Sequence, residues 1–248
     1  MMNLRPEDSI HKSYLNRILL ETSDNPHLSQ ILAFKGGTCA SMLGFLDRFS
    51  VDLDFDLVQK SDDKIVRKEF RQIVDHVGLS IKKEFDDVLM FQVQYPSSPN
   101  RRNSIKVSVN SLAVRNNKYK VQYFPEIDRL INAQTIETMF ANKLVTVMDR
   151  YNIHHTIAGR DIYDIHHFFV NGYSYLGSVI KERTGDSPEH YLKKLIEFVK
   201  QNVTQTMINE DLNALLPNRE FQGIRKILIP ETLSFLMNEK DHLERVVS

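Results

Sequence analysis

Apolar residues recur at helical spacing between Ser9 and Glu21, where Ile10, Tyr14, Leu15, Ile18 and Leu19 fall, and predict a helix capped by Asp8 or Ser9. Pro26 can open a second short helix through Ile31 and Leu32. The Phe34-Lys35-Gly36-Gly37 step breaks it, and Thr38 reads as the N-cap of a helix over Cys39 to Leu46 that buries Met42, Leu43 and Phe45. From Val51 to Val58 the period shortens to two. Leu53, Phe55 and Leu57 alternate with Asp52, Asp54 and Asp56, which predicts a strand with one apolar and one acidic face. Ser61 to Val77 returns to an amphipathic helix through Ile65, Phe70, Ile73, Val74 and Val77, closed by Gly78. Strands follow at Val88 to Tyr95 and Ser104 to Val109, separated by a turn over Pro96 to Asn103, and again at Tyr119 to Tyr123.

Pro125 marks a change of texture. From Ile131 the pattern is helical nearly to the end, with breaks at Gly159, Gly172, Gly185 to Pro188, and Pro217. The fold class is therefore α+β, with a mixed sheet and helices in residues 1–128 and an all-helical domain in residues 129–248. In the second domain, Thr138 to Tyr151 forms a helix with Met139, Phe140, Leu144, Val147 and Met148 on its apolar side. Lys143 and Arg150 lie two turns apart on one face. Gly159-Arg160-Asp161-Ile162-Tyr163-Asp164 opens a helix to Val170, with Asp161 and Asp164 neighbours on one face and Arg160 in reach of Asp164. Spacing alone reads equally well as an exposed, salt-bridged helix start with acids at its positive end.

Composition narrows the picture by exclusion. In 248 residues, 32 Lys and Arg balance 32 Asp and Glu, so net charge does not point to a nucleic-acid partner. The single cysteine, Cys39, sits in an apolar run and reads as a buried structural thiol, which excludes an internal disulfide and fits a reducing, cytoplasmic setting. Arg5, Glu7, Asp8 and His11 interrupt the N-terminus, so no signal peptide is expected, and no apolar run is long enough to span a bilayer.

Candidate chemistry concentrates around the acidic strand. Glycines at 36 and 37 let backbone N–H groups approach a phosphate. The three aspartates share a face and repel, and a folded chain rarely keeps such a set without a counter-cation. A solvated edge strand is the bland reading of Asp-x-Asp, and the Gly-Gly-Thr turn upstream tilts it toward a metal-dependent nucleotide site. Lys64, Arg67, Lys68 and Arg71, with Lys82 and Lys83, read as a solvated helix face more readily than as an RNA tracker. A second basic cluster of Arg101, Arg102, Lys106, Arg115, Lys118 and Lys120 carries Tyr119 and Tyr123, which could stack on a nucleobase. The paired histidines, His154-His155 and His166-His167, read as surface or packed residues, and His167 shares a face with Asp164.

Four segments together resemble the AbiEii/AbiGii-type nucleotidyltransferase toxins, within the superfamily that contains DNA polymerase beta. They are Lys35-Gly36-Gly37-Thr38, Arg48-Phe49-Ser50-Val51-Asp52-Leu53-Asp54-Phe55, Lys143-Leu144 with Arg150, and Arg160-Asp161-Ile162-Tyr163-Asp164. The resemblance implies that Asp52 and Asp54 bind Mg²⁺ or Mn²⁺ and that Gly36, Gly37 and Thr38 cradle the phosphates of an NTP. Lys35 would belong to the same grip, and Arg48 and Ser50 would brace the turn or touch phosphate. Lys143 would neutralise the triphosphate, and Arg160, Asp161 and Asp164 would orient that lysine or the nucleotide. The activity implied is transfer of NMP to RNA, the tRNA 3′ end in particular, by the toxin of a pair with a cognate antitoxin.

One departure stands out. Relatives of polymerase beta usually carry a third carboxylate on a later strand, whereas the polar face of Ile105 to Asn110 shows Lys106, Ser108 and Asn110. Asp56, Asp161 or Asp164 could supply it. A small-molecule or protein nucleotidylyltransferase, and a non-catalytic nucleotide- or protein-binding module, are the alternatives.

Overall fold

The first apolar stripe forms α1 (Pro6–Asp24), in a computed structural model that describes residues 6–97, 102–111 and 114–247. Leu15, Ile18 and Leu19 are its buried side. The short α2 (Leu28–Ile31) has the backbone N–H groups of His27 and Leu28 held by Asn25 Oδ1. Leu32 does not continue it. Leu32–Lys35 is instead a strand, β1, antiparallel to the acidic strand and parallel to a later strand at Arg129–Gln134. The next helix, α3 (Gly36–Met42), starts two residues before the expected cap at Thr38, with Lys35 in the cap position. It buries Thr38, Cys39 and Ala40, while Met42, Leu43 and Phe45 are half-buried rather than in the core.

The acidic strand is β2 (Leu53–Leu57), with Leu53 and Phe55 fully inside. After it, α4 (Asp63–His76) is capped by Asp62, whose carboxylate accepts from Lys64 N–H. Its core face is Val66, Phe70, Ile73 and Val74. Ile65, expected inside, is exposed. The strands β3 (Ser80–Phe85), β4 (Leu89–Gln94), β5 (Ser104–Asn110), β6 (Tyr119–Phe124) and β7 (Arg129–Gln134) complete a mixed sheet in the order β3-β4-β5-β2-β1-β7-β6. The helical pattern expected from Ile131 therefore begins only after β7. A run of aromatic contacts, Phe124–Phe34–Phe55–Phe70–Phe91, ties the central strands to α4 at centroid distances of 5.4–6.3 Å.

The chain divides into two units, Met1–Ala113 with Lys118–Thr135, and Val114–Asn117 with Ile136–Ser248. In the second, α5 (Ile136–His154) packs on α6 (Gly159–Val170) and α7 (Gly177–Thr184). Then come α8 (Pro188–Asn202), α9 (Gln205–Leu212), α10 (Asn218–Ile224) and α11 (Leu228–Val247). Helix α11 lies against α6 and α8. Phe140 sits between Phe168 and Phe169, and Phe169 stacks on Phe235 of α11. Among the described residues, no helix is long and apolar enough to cross a membrane.

Candidate active site

Asp52, just before β2, and Asp54 and Asp56 within it differ in environment. Asp56 is 1% exposed and accepts from Lys35 Nζ at 2.5 Å, Tyr119 Oη at 3.0 Å and Gln134 Nε2 at 2.6 Å. It is a buried ion pair bonded across the sheet to β1, β6 and β7, so it is not an open third carboxylate. Asp52 and Asp54 keep 30% and 27% of their side chains exposed. Strand β5 runs parallel beside β2 and sets Ser108 opposite Asp54 and Asn110 opposite Asp56. Ser108 Oγ donates to Asp54 Oδ1 at 2.5 Å. Lys106 Nζ lies 3.7 Å from Asp52 Oδ2 and 4.0 Å from Asp54 Oδ1. Lys35 and Lys106 thus both contribute to the counter-charge that three aspartates on one face require.

The glycine turn is built against this strand. Gly36 has φ +80°, and a Cβ there would fall 2.9 Å from Asp54 Oδ2, so a side chain is excluded on both counts. Gly37 packs against Arg48 and Ser50, whose Nη2 and Oγ would each lie 3.0 Å from a Cβ. Arg48 is buried and donates from Nη1 to Phe49 O, so it braces the loop between turn and strand. Thr38, expected to offer its hydroxyl to phosphate, is buried and donates from Oγ1 to Asp52 O. It ties α3 to the start of the acidic strand. One residue earlier, Val51 O accepts from His11 Nε2 at 2.9 Å, and the Tyr95 hydroxyl lies 2.8 Å from His11 Nδ1. Burial is the main cause that pushes His11 down to about 4, so its ring is neutral near pH 7.

In the helical unit, Lys143 Nζ bridges Asp161 Oδ1 and Asp164 Oδ2 at 2.9 Å each, and Arg150 Nε donates to Asp161 Oδ2 at 3.1 Å. Asp161 is 1% exposed and Asp164 fully buried, so the helix start is not the solvated one that spacing equally allowed. Burial pushes Asp161 up, but Lys143 and then Arg150 outweigh it and hold the carboxyl at about 2. Arg160 adds to this pull on Asp161. The two acids therefore fix the lysine in place.

The other candidates sort themselves by partner. Arg67 and Arg71 of α4 both bind Glu84, which favours the salt-bridged reading of that helix face. Tyr119 is engaged by Asp56, whereas Tyr123 is exposed, with its hydroxyl on Asp128. Arg101 and most of the Pro96 to Asn103 turn lie outside the described residues. His167 stacks on Tyr163, and His166 binds Glu231. Cys39 is buried, and burial raises its thiol well above the usual value. Sequence reasoning missed Gln134, His11 and the use of Lys106. The sheet order brings Gln134 and Lys106 to the aspartates, and the packing of α1 brings His11 to Val51.

The oxygens of Asp52 and Asp54 are hard donors that suit Mg²⁺. Among the described residues, no group of three or more His, Cys, Asp or Glu side chains is arranged to hold a metal. The pair fits an ion that takes its remaining ligands from nucleotide phosphates and water.

Residues 17–227 match the family model described as the nucleotidyl transferase AbiEii toxin of type IV toxin–antitoxin systems. No curated protein matches the chain at a significant level. Among solved structures, one from H. pylori, provisionally described as a nucleotidyltransferase, is 21% identical with a TM-score of 0.61, covering 98% of this chain and 99% of that one. The JHP933 protein from Helicobacter pylori is also 21% identical, with a TM-score of 0.56 and coverage of 99% and 100%. At this identity the two structures support the fold.

Proposed function

The chain belongs to the nucleotidyl transferase AbiEii toxin family of type IV toxin–antitoxin systems, and from that premise we propose that it moves NMP from an NTP to the 3′ end of tRNA with Mg²⁺ or Mn²⁺ held by Asp52 and Asp54. The observation that carries this reading is the half-exposed Asp52/Asp54 pair set against a glycine turn that leaves no room for a Cβ beside Asp54. In the transfer, the acceptor hydroxyl oxygen forms a bond to the α-phosphorus and the bond to pyrophosphate breaks. A bound divalent ion supplies charge neutralisation at the phosphates and lowers the pKa of the attacking hydroxyl.

The protein residues do the positioning. Ser108 fixes the rotation of the Asp54 carboxylate, and Thr38 fixes the backbone at Asp52. Backbone N–H groups at Gly36 and Gly37 offer donors to phosphate, with Arg48 and Ser50 packed behind them. Lys35 supports the turn through Asp56 rather than by direct contact. Lys143, oriented by Asp161 and Asp164, supplies positive charge for the triphosphate. Exposed Lys118, Lys120 and Tyr123 favour a nucleic-acid acceptor over a small one. As the toxin of a pair, the protein has a cognate antitoxin for its partner.

The test is purified protein with each labelled NTP and total tRNA, read by the mass of the tRNA before and after. A gain of one or more nucleotide units is expected with one preferred NTP. Asp52→Ala and Asp54→Ala should each lower the rate by roughly 10²-fold or more. No transfer with any NTP from folded protein, or wild-type rates in either variant, would refute the assignment. Label on a protein or small molecule instead would move the acceptor to that class.

A further inference from the structure

Lys106 stands where the fold brings β5 beside the two half-buried aspartates, Asp52 and Asp54. Its partners on the acidic face are set by register: Leu53 pairs with Val107 and Asp54 with Ser108, so the side chains of Lys106 and Ser108 emerge alongside Asp52 and Asp54. The ammonium is within 4.0 Å of an oxygen from each carboxylate. It is also 45% exposed on a flexible stem, so it can leave without opening the core. Lys35 differs, being held between strands on the buried Asp56.

We propose that Lys106 is a resident counter-cation of the Asp52/Asp54 pair and competes with the divalent ion for it. The inference rests on the reading of this pair as the metal ligands. The ammonium offsets part of the charge of the two carboxylates, so the nucleotide-free site attracts a divalent ion less than the carboxylates alone would. When a nucleotide enters, its phosphates give the displaced ammonium a second anion and bring ligands to the metal. Lys106 thereby couples metal binding to nucleotide binding, a role no acidic residue at its position could fill.

The experiment is Mn²⁺ binding to the full-length protein without nucleotide, measured by the paramagnetic resonance signal of free Mn²⁺ and by calorimetry. The proteins are wild type, Lys106→Gln, Lys106→Arg and Asp54→Asn, each checked for fold by circular dichroism. Lys106→Gln is expected to bind Mn²⁺ on the order of tenfold more tightly, the effect of removing one charge about 4 Å away in partly solvated surroundings. Lys106→Arg keeps the charge and should bind like wild type. A Lys106→Gln affinity equal to or weaker than wild type, or equal tightening by Lys106→Arg, overturns the proposal while leaving the metal pair intact. If Asp54→Asn binds as well as wild type, or no variant binds at all, the pair itself is not the site and both readings fall.

Discussion

His11 gives a prediction with a sign and a size. It is fully buried in α1, bonded to Val51 O just before the acidic strand, and burial lowers it from 6.5 to about 4. In the unfolded chain the ring takes a proton as pH falls below 6.5. In the folded chain it stays neutral until pH nears 4. The unfolded state therefore binds more protons between these values, and stability falls as pH falls. The contribution is fully present above pH 6.5. Between pH 7.5 and 5 the loss is about 2 kcal/mol, and it approaches about 3 kcal/mol only below pH 4. Urea denaturation followed by circular dichroism at several pH values checks this. His11→Gln removes the titration, and the difference between the two proteins cancels every group they share. Wild type should be the more stable at pH 7.5 and lose most of that advantage by pH 5. Parallel curves for wild type and His11→Gln would refute the claim that the buried ring stays neutral.

Other perturbations read the remaining contacts. Asp56→Asn leaves the largely buried Lys35 ammonium without its anion and should cost about 3 kcal/mol of stability in the same urea assay, with nucleotide affinity lowered secondarily. Gly36→Ala forces a Cβ onto Asp54 at a positive φ, so it should cost about 1–2 kcal/mol in the same denaturation and reduce transfer far more than stability. Lys143→Ala leaves the buried Asp161 and Asp164 without their shared ammonium, so it should raise KM for NTP, cut kcat and destabilise the helical unit, seen as faster hydrogen exchange in α5 and α6. Lys143→Arg should recover stability more than rate, because the fork does not reproduce a point charge between two carboxylates.

The strongly periodic elements were legible in the sequence. Strand β2 shows its alternation plainly, and α6 its helical start at Gly159. Three strands were not readable, each for its own reason. Strand β1 is four residues long and continues the apolar run of α2, so periodicity cannot separate the two. Strand β3 is a largely polar sheet edge with little core face to announce it. Strand β7 borrows its identity from β1 and β6, neighbours that only the folded sheet provides.

The same limit governs the site. Alternation correctly demanded a cation for Asp52, Asp54 and Asp56, but it could not say which cation serves which acid. The answer depends on side chains from β1 and β5, which flank β2 on either side in the sheet. On the β1 side, Lys35 pairs with Asp56, and Tyr119 and Gln134 complete its shell and shut out solvent. On the β5 side, Lys106 reaches Asp52 and Asp54 from a half-exposed position, and Ser108 satisfies one oxygen without adding charge. Chemically identical residues two positions apart thus separate into a structural ion pair and an exchangeable pair. Burial of the lysine's partner, rather than the Asp-x-Asp spacing, makes the difference. A carboxylate that already has three donors and no solvent has nothing to offer a metal. One that keeps solvent access, with Lys106 at the limit of salt-bridge distance, still does.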